Sequence, residues 1–160
     1  MQAGGLRFDT GNYVLAGAAP TITVAKPDSY TKISATLARS NGFTLAGPGT
    51  LTLTGANTYT GGTTISSGTL NVWHDSNLGM AASPVTLVGG TLQLGSAFID
   101  RTVNVASGST LHISSNFGAG IQTLAGAAAF TKAGGGTLRL RGRTRVIPGT
   151  SSMTEVGCLS

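Results

Sequence analysis

Residues Gly47–Val72 read GPGTLTLTGANTYTGGTTISSGTLNV, and the period of this stretch decides the fold. In Thr50–Thr54 leucine and threonine alternate one by one. That places Leu51 and Leu53 on one face of an extended strand and Thr50, Thr52 and Thr54 on the other. Asn and Gly-Gly in the following ANTYTGG then close the strand with a turn-rich arch. A second short strand, TLNV at Thr69–Val72, lies beyond the arch.

The Gly-x-Thr-Leu unit recurs as PGTLTL, SGTLNV, GGTLQL, GSTLHI and GGTLRL, with its leucine at Leu51, Leu70, Leu92, Leu111 and Leu138. The first four leucines follow one another at close to even intervals, and the last interval is longer. Spacings near 20 with short strands and turns fit one coil of a parallel solenoid, whereas a propeller blade needs about 40–50 residues. No segment shows the 3.6-residue period of an amphipathic helix. Antiparallel sandwiches also contain many short strands but lack a strand motif recurring at one coil length. Further strand segments lie at Leu6–Phe8, Tyr13–Leu15, Thr21–Val24, Lys32–Leu37, Phe43–Leu45, Thr63–Ser66, Pro84–Val88, Thr102–Val105 and Ile121–Leu124, and Trp73–Pro84 reads as a loop between rungs. The predicted fold is all-β, a parallel β-helix of about seven rungs. Leu51, Leu53, Leu70, Val72, Leu92, Leu94, Leu111 and Ile113 are expected inside, and Thr50, Thr52 and Thr54 outside.

Composition agrees. Charged residues make up 9% of the chain, against roughly 25% in ordinary domains. Like charges stacked rung upon rung would repel, so a solenoid favours this scarcity. No apolar run approaches the roughly 20 residues of a membrane-spanning helix. The net charge of +5 is concentrated at the end, where Arg139, Arg141, Arg143 and Arg145 fall close together. These arginines form no basic face interleaved with aromatics, so nucleic acid is not an expected partner. Cys158 is the single cysteine, which excludes an intrachain disulfide and a cysteine zinc site.

Little in the chain suggests chemistry. His74 and Asp75, beside Trp73, could orient a general base. No G-x-S-x-G elbow accompanies them, and Cys158 is remote, so they are expected in an exposed loop. His112 alternates with Leu111 and Ile113 and is expected to face solvent. The acids Asp9, Asp28, Asp75, Asp100 and Glu155 are scattered, which does not suit calcium binding or paired acid–base work. Gly134–Gly136 is followed by neither lysine nor a helix and reads as a rung corner rather than a phosphate loop. No catalytic residue, metal site or cofactor is expected.

Gly49–Ile65, GTLTLTGANTYTGGTTI, continuing into SSGTLNV, resembles the passenger-associated transport repeat of bacterial autotransporters, also called the autotransporter-associated β-strand repeat. Its motif positions are Gly49, Thr50, Leu51, Leu53, Gly55, Asn57, Tyr59, Gly61, Gly62, Thr63, Ile65, Gly68 and Leu70. Phe130–Gly142, FTKAGGGTLRLRG, resembles the opening of a second copy, and Ile33–Phe43 and Pro84–Leu94 are similar to the passenger sequence that brackets such repeats. The resemblance implies a right-handed parallel β-helix passenger, exported through the outer membrane by its own C-terminal barrel and displayed at the cell surface or released. It implies a non-catalytic, structural role in which the repeat assists secretion and folding. Within the arch, Asn57 is expected to cap a turn and Tyr59 to lie over the rod. The alternative functions are an adhesin surface for host or glycan ligands and, third, a polysaccharide-degrading enzyme. Without a leader or barrel pattern, the chain reads as an internal slice of a longer protein, and unpaired end rungs would then favour self-association. Residues 1–142 are expected to form the β-helix, with the motif at 47–72 and the second copy beginning at 130–142. Residues 143–160 lose the Thr/Leu rhythm and are expected to be a divergent, disordered tail, consistent with a shifted reading frame.

Overall fold

The computed structural model describes residues 20–38, 41–95, 98–106, 108–114, 118–126 and 129–142, together with the backbone of 12–13 and 145–146. Among the described residues the strands of the first half are β1 Asn12–Tyr13, β2 Thr21–Thr23, β3 Tyr30–Ile33, β4 Thr36–Leu37, β5 Phe43–Ala46, β6 Thr50–Leu53, β7 Thr63–Ile65 and β8 Thr69–Val72. The second half holds β9 Val85–Leu87, β10 Thr91–Leu94, β11 Phe98–Val105, β12 Thr110–Ile113, β13 Gly118–Gly126, β14 Thr131–Ala133, β15 Thr137–Leu140 and β16 Arg145–Val146. A 3-10 turn, Asp75–Leu78, interrupts them. Every strand pairing among the described residues is parallel. The chain is therefore a β-solenoid, as the repeat spacing required.

One sheet runs β3-β6-β8-β10-β12-β14, one strand per coil, so the described residues form about six coils, in line with the expected number of about seven. Its ladder aligns Thr50, Thr69, Thr91, Thr110 and Thr131 in one outward column. Leu51, Leu70, Leu92 and Leu111 form the neighbouring inward column, and Leu53, Val72, Leu94 and Ile113 a second. All eight inward side chains are completely buried. Full burial stabilises each by about 1.5–3 kcal/mol relative to exposure, so these columns are a main source of the fold's stability. The other long sheet runs β2-β5-β7-β9-β11-β13-β15 and stacks Leu45, Ile65, Leu87 and Val105 opposite them. The pair β1-β4 forms a short third face.

The expectation that Thr52 is exposed is overturned, because the residue is buried. Thr50 is half-buried and Thr54 exposed. Thr52 faces outward, but the same position on the adjacent rungs holds Lys32 and Asn71, side chains longer than threonine. In a stacked ladder, outward direction and exposure are different properties. His112 likewise points outward between Gln93 and Ala133 in the register, yet it is half-buried rather than fully solvated.

The fifth Gly-x-Thr-Leu unit does not stack on the first four. The coils that begin at Tyr30, Thr50, Thr69, Thr91 and Thr110 each return to the same sheet after a nearly constant length of chain. The stretch from Leu111 to Leu138 is longer than that and overruns one coil. Accordingly β14 takes the place above β12, and TLRL of β15 pairs with Gly118–Ile121 on the next face. The second copy of the motif thus lies one face further round the coil than the first. This shift sets Lys132 above Leu111, in the inward column. Its ammonium escapes to the surface and donates to the Gly134 carbonyl at 2.8 Å, as long cationic side chains do at the rim of apolar surfaces.

The tail expected from Arg143 onward lies outside the described residues, apart from the backbone of Arg145–Val146, which pairs with Ala125–Gly126. Leu6–Phe8 and Cys158 are also outside the described residues.

Candidate functional site

The motif arch, Gly55–Gly62, spans the gap between β6 and β7 and lies between the coil before it and the Trp73–Pro84 loop of the coil after it. Backbone bonds hold it on both sides. Thr58 N–H donates to Leu37 at 2.9 Å on one side, and Asn57 and Tyr59 meet Ser76 and Met80 at 2.9 Å on the other. The Gly-Gly end has a steric cause. A Cβ at Gly61 would stand 2.0 Å from the Gly42 nitrogen, so only a bare backbone can approach the previous coil there.

Asn57 and Asn77 form a polar ladder inside this corner, one coil apart and both buried. Asn57 Oδ1 accepts from the Leu37 N–H at 2.8 Å, and Asn57 Nδ2 donates to the Asn77 carbonyl at 2.6 Å. Asn77 Nδ2 donates to the Gly55 carbonyl at 3.0 Å, while its Oδ1 accepts from His74 and Trp73 N–H at 2.9 and 3.2 Å. Each amide therefore pairs backbone groups that the irregular corner would otherwise leave unbonded, those of Leu37, Gly55 and Asn77 in buried bonds and those of Trp73 and His74 in part-buried ones.

Tyr59 is fully buried, inside the rod rather than over it as expected. Its ring meets Phe43 edge-on with centroids 5.5 Å apart. Its hydroxyl lies 2.6 Å from Thr63 Oγ1, so two polar groups in the core satisfy each other. Burial pushes the phenol well above its ordinary range, with the Thr63 bond opposing.

The residue that sequence reasoning missed is Arg101. It is 4% exposed and enters the rod from β11, next to a register shift between Ile99 and Thr102. Its Nε and Nη2 each meet the Asp75 carboxylate at 2.8 Å, in a bidentate fork. The remaining donors reach backbone carbonyls of the Trp73–Pro84 loop: Leu78, Met80 and Ser83 from Nη1, Asp75 and Gly79 from Nη2. Guanidinium alone supplies enough donors in a fixed plane to close such a loop. A signal was present: Ile99, Arg101, Val103 and Val105 share one phase of a two-residue period, placing an arginine among inward apolar residues.

The arrangement binds backbone to backbone. Asp75 is engaged by Arg101, and His74 is exposed. Among the described residues, no three His, Cys, Asp or Glu side chains gather to hold a metal. Gly49, Thr50, Leu51, Leu53, Ile65, Gly68 and Leu70 build the rungs that flank the arch.

The passenger-associated-transport-repeat family matches residues 43–72 and 130–145, the arch coil and the displaced second copy. Over 170 aligned residues, covering 97% of this chain, the sequence is 35% identical to the adhesin BmaC autotransporter of Brucella suis biovar 1 (strain 1330). The chain is a segment of an autotransporter passenger. It spans about 5% of that relative's length. No solved structure matches it. In this passenger segment the motif positions are largely interior, and the most tightly bonded part of the repeat lies at its contact with neighbouring coils.

Proposed function

We propose that this passenger segment is a non-catalytic structural stretch whose repeat arch staples successive coils together, assisting passenger folding and thereby export. The observation that carries the reading is the set of side-chain bonds between coils. Asn77 and Ser83 reach back to Gly55 and Thr60, and Arg101 reaches back to the loop beneath it. Ser66 reaches back to Leu45, and Asn57 reaches forward to Asn77. A coil docked on its neighbour completes bonds that neither makes alone, which couples coil formation along the rod. The motif positions from Gly49 to Leu70 are read as the structural elements of this staple. The full-length protein would carry the segment to the cell surface, with its C-terminal outer-membrane barrel as the export partner. The relative's name, an adhesin, favours a second reading in which the outer flank presents a host or glycan ligand.

The test uses the full-length parent protein carrying Asn57→Ala with Arg101→Met. Surface passenger is measured by added protease, and barrel level by immunoblot. The expected result is a several-fold fall in surface passenger at constant barrel level. Normal display of a variant whose isolated chain is clearly destabilised would overturn the reading.

A further inference from the structure

We infer that the outer face of β11, β13 and β15 carries a binding site for a uronic acid residue of an acidic polysaccharide. This goes beyond the stapling role, which concerns the interior. Ile99, Ile121 and Leu140 align across the three strands and point inward or toward the core. The residues that follow them, Asp100, Gln122 and Arg141, are exposed and form a second outward set around one cavity, with Asp100 at the register shift between Ile99 and Thr102. Phe98, Gly120 and Arg139 form the column before it. Together the two sets span about 7 Å along the strands and about 10 Å across the rungs, the footprint of one sugar ring.

Gly120 opens this face. A Cβ there would lie 2.2 Å from Phe98 Cδ1, so the aromatic ring leans into the space that a side chain would fill. The Arg141 guanidinium carbon sits 4.2 Å from the centroid of that ring. The stacking fixes the cation's plane, and its N–H donors make no side-chain hydrogen bond among the described residues. A cavity of about 160 Å³ remains, lined by Phe98, Asp100, Gln122 and Arg141. The half-exposed Phe98 ring provides an apolar wall. Asp100 offers acceptors and Gln122 both a donor and an acceptor, the pattern that adjacent ring hydroxyls match. A pre-oriented guanidinium takes a carboxylate through two N–H bonds. Two arginines against one aspartate leave the patch positive, which selects an acidic sugar over a neutral one.

The 160-residue chain is titrated calorimetrically with tetrasaccharides of hyaluronan and of polygalacturonate, with chitotetraose as the neutral probe. At least one acidic tetrasaccharide is expected to bind with Kd of about 1 mM or tighter, and chitotetraose about tenfold more weakly. Arg141→Gln and Gln122→Ala should each weaken the acidic probe several-fold, while Lys32→Gln, on the other sheet, leaves it unchanged. Far-UV circular dichroism checks that these exposed substitutions preserve the fold. No binding of either acidic probe, equal binding of chitotetraose, or full affinity in Arg141→Gln would overturn the proposal. These outcomes do not bear on surface display, which tests the stapling role separately.

Discussion

Replacing Asn57 by alanine removes two hydrogen bonds at once and leaves their partners inside the protein. The Leu37 N–H, 2.8 Å from Asn57 Oδ1, and the Asn77 carbonyl, 2.6 Å from Asn57 Nδ2, would then be unpaired in a corner where Asn57 itself is 5% exposed. An unsatisfied buried group costs about 1–3 kcal/mol, so the pair should cost roughly 2–5 kcal/mol. Against a typical folding stability of about 5–15 kcal/mol this is a severe loss. Urea unfolding followed by far-UV circular dichroism measures it as a lower midpoint at constant slope. Thr58→Ala, at the exposed neighbouring position, is the control and should stay within about 0.5 kcal/mol. Asn57→Ala and Asn77→Ala belong to one network, so their combined effect should depart from additivity by about 0.5–3 kcal/mol. A loss below about 1 kcal/mol for Asn57→Ala, or strict additivity with Asn77→Ala, would refute the ladder as a stabilising element.

Arg101→Met should destabilise by about 3–5 kcal/mol, because it strips the Trp73–Pro84 loop of its donors, and Arg101→Lys should recover only part of this. Hydrogen exchange of the loop amides would register it, and protection as in the native chain would contradict the assignment. Tyr59 has a raised folded pKa, so its contribution is fully present below the unfolded value of 10.0 and declines as pH rises above it. The wild type should lose stability above about pH 10 more steeply than Tyr59→Phe, and parallel pH profiles would argue against this. Leu92→Ala should cost about 2–5 kcal/mol as a core leucine. Thr52→Val should be near neutral or stabilising, since the buried Thr52 hydroxyl has no partner among the described residues. Equal losses at both positions would invalidate the assigned faces.

Some of this molecule is legible in one dimension. The alternation in TLTLT placed Leu51 and Leu53 inside, and spacings near 20 distinguished a solenoid from a propeller, because side-chain direction and coil length are local properties of an extended chain. The motif around ANTYTGG was recognisable for the same reason. The burial of Thr52 was not, since it depends on which side chains the next coils set beside it. Nor was the displacement of TLRL, which depends on where a coil of fixed circumference comes to an end.

The candidate site divides along the same line. Sequence alone determined that Asn57, Tyr59 and Gly61–Gly62 form an irregular arch between two strands. Only the tertiary structure decided that Asn57 bonds Leu37 one coil before it and Asn77 one coil after it, that Tyr59 lies inside, and that Arg101 closes the loop that begins at Trp73. A solenoid brings residues together by whole coils. Its strands follow from short-range period, whereas the satisfaction of its buried polar groups depends on the register between coils, and register is a property of the stack rather than of any one segment.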